Sequence, residues 1–301
     1  MKSILLFPLL LFLTFPLIAE PVLYSRDSPW NQPIPENPPI DPDSSRYVEA
    51  IEGHFGSRTD KYTFPVYRVD SDTPGIGVRI SGFWSDVSDG GNKIEVRRKT
   101  HVSLPIPAGA IPAKGKDSHL VLWDSATGDE WGLWHVRRTR KGWEAENGYH
   151  YNTRWNAVPP KGFISRGAGI PYLAGLIFPH ELRAGAIEHA IALGINYPSP
   201  LHVYPATKSD GRSYEPWSLP MGSRLQLDPK YTEQDFVRWG LDRSGMIIAR
   251  ALQRYGMILV DGSGHPKIYG EYDGTAGWGD LLGPDTVRRI PYKAFRVLAL
   301  P

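Results

Sequence analysis

Cysteine is missing from this 301-residue chain. Its absence excludes a disulfide framework, a thiolate metal site and a lipid-modified cysteine. An excess of one charge is missing too. Thirty-four basic residues stand against 32 acidic ones, a net charge of +2, so the composition makes no argument for a nucleic-acid partner. The short basic runs at 97–99 and 137–141 read as solvated strand ends. The nine histidines show no HExxH or HxH spacing, and no calcium-loop spacing occurs, so no metal is expected. No GxSxG elbow offers a serine nucleophile. Gly167 and Gly169 lack the lysine and following helix of a phosphate loop, and no cofactor is expected.

What the chain does contain is aromatic: 10 Trp, 15 Tyr and 10 Phe, with 41% hydrophobic residues overall. That excludes a disordered chain and leaves ample material for a core. Met1–Ala19 reads as a secretory signal, with Lys2 as its charged start and Ile4–Ile18 as its apolar stretch. The run is short for a membrane span, so cleavage is expected before Glu20, with no stable membrane insertion afterwards. The expected location is periplasmic or extracellular. Residues 20–42 form a proline-rich arm that either lies on the domain or tethers it, with Trp30 as a docking point. Residues 43–301 read as one domain.

Gly and Pro, 31 and 28 residues, favour many short strands and turns. Period-two alternation marks strands at Tyr62–Val69, Gly77–Ile80, Ile94–Arg98, His119–Asp124, Glu130–Val136, Trp143–Tyr151, Ala186–Leu193, Leu201–Tyr204, Leu225–Leu227 and Met257–Val260. Helical spacing or caps mark short helices from Asp43, at Pro179–Gly185, Thr232–Trp239 and Ser244–Tyr255. The expected fold is all-β, a jelly-roll-like β-sandwich with a few peripheral helices.

Ser118–Arg138 reads as a hairpin. Pairing Asp124 with Asp129 sets Trp123 opposite Glu130 and Leu122 opposite Trp131. Leu120, Leu122, Trp131 and Leu133 then share a core face, while His119, Trp123, Glu130 and Trp134 share the other. Indoles stack on sugar rings, and a carboxylate between them is suited to proton transfer. Glu130 is therefore the candidate acid/base, with Trp123 and Trp134 as stacking residues. A second reading leaves that face as core and Glu130 as an inert hydrogen-bonded group. Asp124 and Asp129 read as turn formers.

Three further groups join the candidates. Arg166, among small residues, suits a carboxylate or a sugar hydroxyl pair, or a structural ion pair with Glu188 or Asp210. His189 is either a general base or a satisfied strand histidine. Thr207, Lys208 and Asp210 sit on a strand-end loop, a usual place for binding groups.

At RGAGIPYLAGL, IEHAIAL, PATKSDG and ALQRYGMILVD the chain resembles an uncharacterised family of secreted bacterial proteins. The resemblance covers most of the mature chain and brings no activity or site residue with it. The ExDxxE strand of laminarinase-type hydrolases and the QIH motif of jelly-roll alginate lyases are both missing. The leading expectation is an exported glycoside hydrolase acting on a polysaccharide or cell-envelope glycan, with His119, His189 and Arg166 assisting Glu130. The alternatives are a uronate lyase, with Arg166 or Lys208 neutralising the carboxylate and His189 as base, a lectin-like glycan binder, and an envelope structural protein. Oligomeric state is not readable.

Overall fold

The hairpin forms with the register that the alternation requires. Leu120–Trp123 runs antiparallel to Asp129–Trp134, with Leu120 opposite Leu133, Leu122 opposite Trp131 and Trp123 opposite Glu130. Asp124 is a turn former: its Oδ1 accepts from the Ala126 and Thr127 amides at 2.8 and 3.2 Å. The structure is a computed structural model describing residues 22–51, 53–82, 85–89, 92–95, 100–159 and 164–300. The signal segment and the end of the Ile94–Arg98 strand lie outside them.

The hairpin sits inside a six-stranded sheet ordered Val66–Arg68, Leu120–Trp123, Asp129–Trp134, Asn147–Asn152, Asp86–Asp89, Asn92–Glu95. Both faces of this sheet are covered. Leu120, Leu122 and Leu133 pack with Val78, Ile80, Val102, Leu104 and Trp143. Those partners belong to a four-stranded sheet of Thr100–Leu104, Ile76–Ile80, Gly142–Ala145 and Arg137–Thr139. On the other face Val121, Trp123, Tyr149 and Tyr151 join the larger core. Burying each large apolar side chain stabilises by about 1.5–3 kcal/mol, and this favours stacked layers. The fold is all-β and sandwich-like, with few short helices and, among the described residues, no closed barrel.

The larger core is organised by a second six-stranded sheet: Gly56–Arg58, Lys267–Tyr269, Ile191–Ile195, Met257–Gly262, Arg224–Leu227, Phe295–Val297. Its central pair, Ile191–Ile195 and Met257–Gly262, is parallel. Ile191–Ile195 is buried along its whole length, as a strand covered on both faces must be. Helix Arg243–Arg254 leads into Met257–Gly262. Asp242 caps it by accepting from the Gly245 amide at 2.7 Å, and Ile247, Ile248, Ala251 and Leu252 form its buried stripe.

The expected strand Ala186–Leu193 starts later, at Ile191. Helix Pro179–Ala184 stops at Gly185 (φ +91°), and the next residues bond outside any sheet. The Ala190 amide donates to Trp30 O at 2.7 Å. The proline-rich arm therefore lies on the domain. Trp30 is 1% exposed, the Ile34 amide donates to Arg254 O, and the Ala299 amide donates to Pro39 O.

Candidate functional site

Three of the four family-like stretches meet at one place. The Ala168 amide donates to Val260 O at 2.9 Å, laying the glycine-rich passage against the end of Met257–Gly262. The Thr207 amide donates to Ala168 O at 2.9 Å and its hydroxyl to Gly169 O at 3.3 Å, which pins the 205–211 loop to the same passage. Asp210 and Asp261 converge over Gly167 as a result. A Cβ built on Gly167 would meet Asp210 Oδ1 at 2.5 Å and Asp261 Oδ1 at 2.9 Å. A larger residue there would have to push both carboxylates aside. The two carboxylate oxygens can be no farther apart than those distances laid end to end.

The two acids differ in setting. Asp210 is exposed and Asp261 only partly so. Burial pushes the Asp261 carboxyl up, and the neighbouring Asp210 adds to the rise, while Arg166 and Lys267 oppose it; the result is about 7. Lys267 is buried, and its Nζ donates to Tyr62 O at 2.8 Å. Loss of water pulls its ammonium down to about 8 against the pull of Asp261 and Asp117. Desolvation lowers Lys208 as well, with Asp210 and Asp261 opposing it. The pair therefore sits within a ring of cations.

Arg166 lies beneath it, 1% exposed. Its Nη1 donates to the carbonyls of Pro171 and Ala174 at 3.1 and 3.2 Å. The rings of Phe64 and Tyr269 lie 5.1 and 4.9 Å from the guanidinium carbon. Its Nε and Nη2, the edge suited to side-on bidentate bonding, have no hydrogen-bond partner. It forms no ion pair with Glu188 or Asp210 among the described residues. His119 packs edge-on against Phe64 and Tyr172. Burial, Lys267 and Arg166 together hold its imidazole well below the ordinary range, so it stays neutral.

Arg166, Thr207, Lys208 and Asp210 thus come together, with His119 behind Arg166. The other candidates lie elsewhere. Glu130 is fully buried and hydrogen-bonded. Its carboxylate accepts from Tyr24 Oη at 2.6 Å, Tyr149 Oη at 2.5 Å and the Leu173 amide at 3.1 Å. Burial raises it above the ordinary carboxylate range against those bonds. Trp123 is buried, its Nε1 donating to Thr153 Oγ1 at 3.4 Å, and Trp134 stacks on His135. The expected sugar-binding face is a covered core face. His189 bonds Glu181 Oε1 through Nε2 and Ala190 O through Nδ1, both at 2.9 Å. Burial lowers it, but Glu181 and the Ala190 carbonyl raise it overall. Both ring nitrogens face oxygen acceptors of the protein itself, so neither is turned to a substrate.

Neither Asp261 nor Lys267 is among the candidates read from the sequence. The available signal was position: Asp261 closes one of the four family-like stretches. Among the described residues no group of three His, Cys, Asp or Glu is placed to hold a metal ion, and no helix is long and apolar enough to cross a membrane. A separate groove of about 790 Å³, lined by His54, Arg58, His265 and Arg288 among others, runs beside Gly56–Arg58. Its Arg58 and Arg288 already pair with Asp60 and Asp285. No family model, curated protein or solved structure matches this chain.

Proposed function

We propose that this is an exported glycoside hydrolase acting on a polysaccharide, with Asp210 and Asp261 as its two carboxyl groups. The carrying observation is the pair over Gly167, one member pushed up to about 7. Hydrolysis of a glycosidic bond needs one carboxylic acid that holds its proton near neutrality and one carboxylate facing the anomeric carbon. Separations of roughly 5–5.5 Å go with retention of configuration and roughly 6.5–9.5 Å with inversion; the two contacts over Gly167 exclude the wider, inverting spacing for these oxygens.

In this reading Asp261 donates its proton to the leaving glycosidic oxygen while Asp210 attacks the anomeric carbon. Asp261, now ionised, is stabilised by Arg166 and Lys267 and then takes a proton from the water that releases the sugar from Asp210. Glu130, shut away from solvent, cannot reach a substrate, so the acid/base role passes to Asp261.

A second reading is β-elimination on a uronate, with Lys267, lowered to about 8, as base. One experiment separates the two. Purified protein is incubated with neutral and acidic polysaccharides, reading reducing ends and unsaturated-uronate absorbance together. Reducing ends without the absorbance, lost in Asp210→Asn and Asp261→Asn, is the expected result. Absorbance rising in step with reducing ends selects the lyase, and no product from any glycan rejects both.

A further inference from the structure

Pro198 is a hub beside the carboxyl pair. Its carbonyl accepts from the Ser213 amide at 3.1 Å. A Cβ on Gly211 would lie 2.5 Å from that carbonyl oxygen, and one on Gly262 would lie 3.8 Å from the Pro198 ring. Asp210 precedes Gly211, Asp261 precedes Gly262, Tyr197 precedes Pro198 and Tyr214 follows Ser213. The backbone of four residues, two acids and two tyrosines, is thus tied to within one residue of a single contact point.

Both tyrosines face water. Tyr214 is 87% exposed and Tyr197 73%. Leu201 and Tyr204 are exposed too, so half of the eight exposed large apolar side chains among the described residues fall within 197–214. Scattered singly, such residues need no explanation; here four fall within one stretch of chain that also carries Asp210. The backbone gives a second sign. Tyr197 has φ +58°, an uncommon conformation for a bulky residue. The Asn196 side-chain oxygen next to it is buried without a partner.

We propose that Tyr197 and Tyr214 form a stacking platform for sugar rings of a pyranose chain that runs past the Asp210–Asp261 pair. This rests on the hydrolase reading and narrows it: the substrate is a polymer, cut within the chain. A tyrosine ring offers a flat face to the C–H patches of a pyranose and a hydroxyl to its rim. The surrounding residues, Ser209, Asp210 and Ser213, are polar, which fits a glycan. Sugars seated on the platform place the next linkage over the carboxyl pair and supply positioning from remote binding.

The test compares Tyr197→Ala, Tyr214→Ala and their Phe counterparts on a hexasaccharide and a disaccharide of the glycan that is cleaved. Each Ala variant should raise KM for the hexasaccharide at least 5-fold more than for the disaccharide, and Phe should restore it, since stacking needs the ring. Equal effects on both lengths overturn the platform and leave the hydrolase reading standing. If no glycan is cleaved, retardation in polysaccharide-containing native gels decides. Retardation lost in the Ala variants and kept in the Phe variants upholds the platform without hydrolysis. No retardation of the parent protein overturns it.

Discussion

Asp261 makes stability depend on pH. Its carboxyl lies at 3.8 in the unfolded chain and about 7 in the folded protein. The folded state therefore binds more protons between those values, and stability falls as pH rises through that window. Replacing Asp261 with Asn removes this term. Asp261→Asn should match the parent protein near pH 4 and be the more stable of the two near pH 8, by a few kcal/mol at most. Chemical denaturation at both pH values checks it. In activity, kcat/KM should decline above about pH 7 as the acid loses its proton. Asp210→Asn and Asp261→Asn should each lower kcat at least about 100-fold while leaving the far-UV circular dichroism unchanged.

Among the elements, the hairpin carries the sharpest contrast between what could be read and what could not. Its register and turn were legible because alternation, Asp124 and Gly128 all agree locally. The role of Glu130 was not. Alternation assigns a side chain to a face but does not say what covers that face, and here the cover is Tyr24, Tyr149 and the Leu173 amide. Gly132 makes the fit possible: a Cβ there would meet the Tyr149 ring at 2.2 Å. Arg166 and the 205–211 loop were legible as candidates, but their meeting with Asp261 depends on contacts such as Ala168 to Val260, which no periodicity encodes. Glu130→Ala strands three donors in the core. It should cost on the order of 1–3 kcal/mol per donor, read by urea denaturation, with kcat of the folded fraction kept within a few-fold. A kcat loss comparable to that of Asp261→Asn would return catalysis to Glu130.

For the molecule as a whole, the arm closes the structure. Trp30 is fully enclosed near Gly175, and Ile40 bridges to Leu298. Trp30→Ala should cost roughly 3–5 kcal/mol, lowering Tm cooperatively, since the larger core is one contiguous cluster. A separate early transition of the arm alone would contradict that. The domain and the docked arm should then unfold at one temperature.

The bridge from Ile40 to Leu298 also imposes an order in time. During synthesis the arm emerges well before the strand edge it completes, beside Phe295–Val297. Such widely separated pairings are slow to form. The arm therefore docks in two stages: Tyr24 and Trp30 bond to Thr153 and Ala190 in the middle of the chain, while Ile40 waits for Leu298.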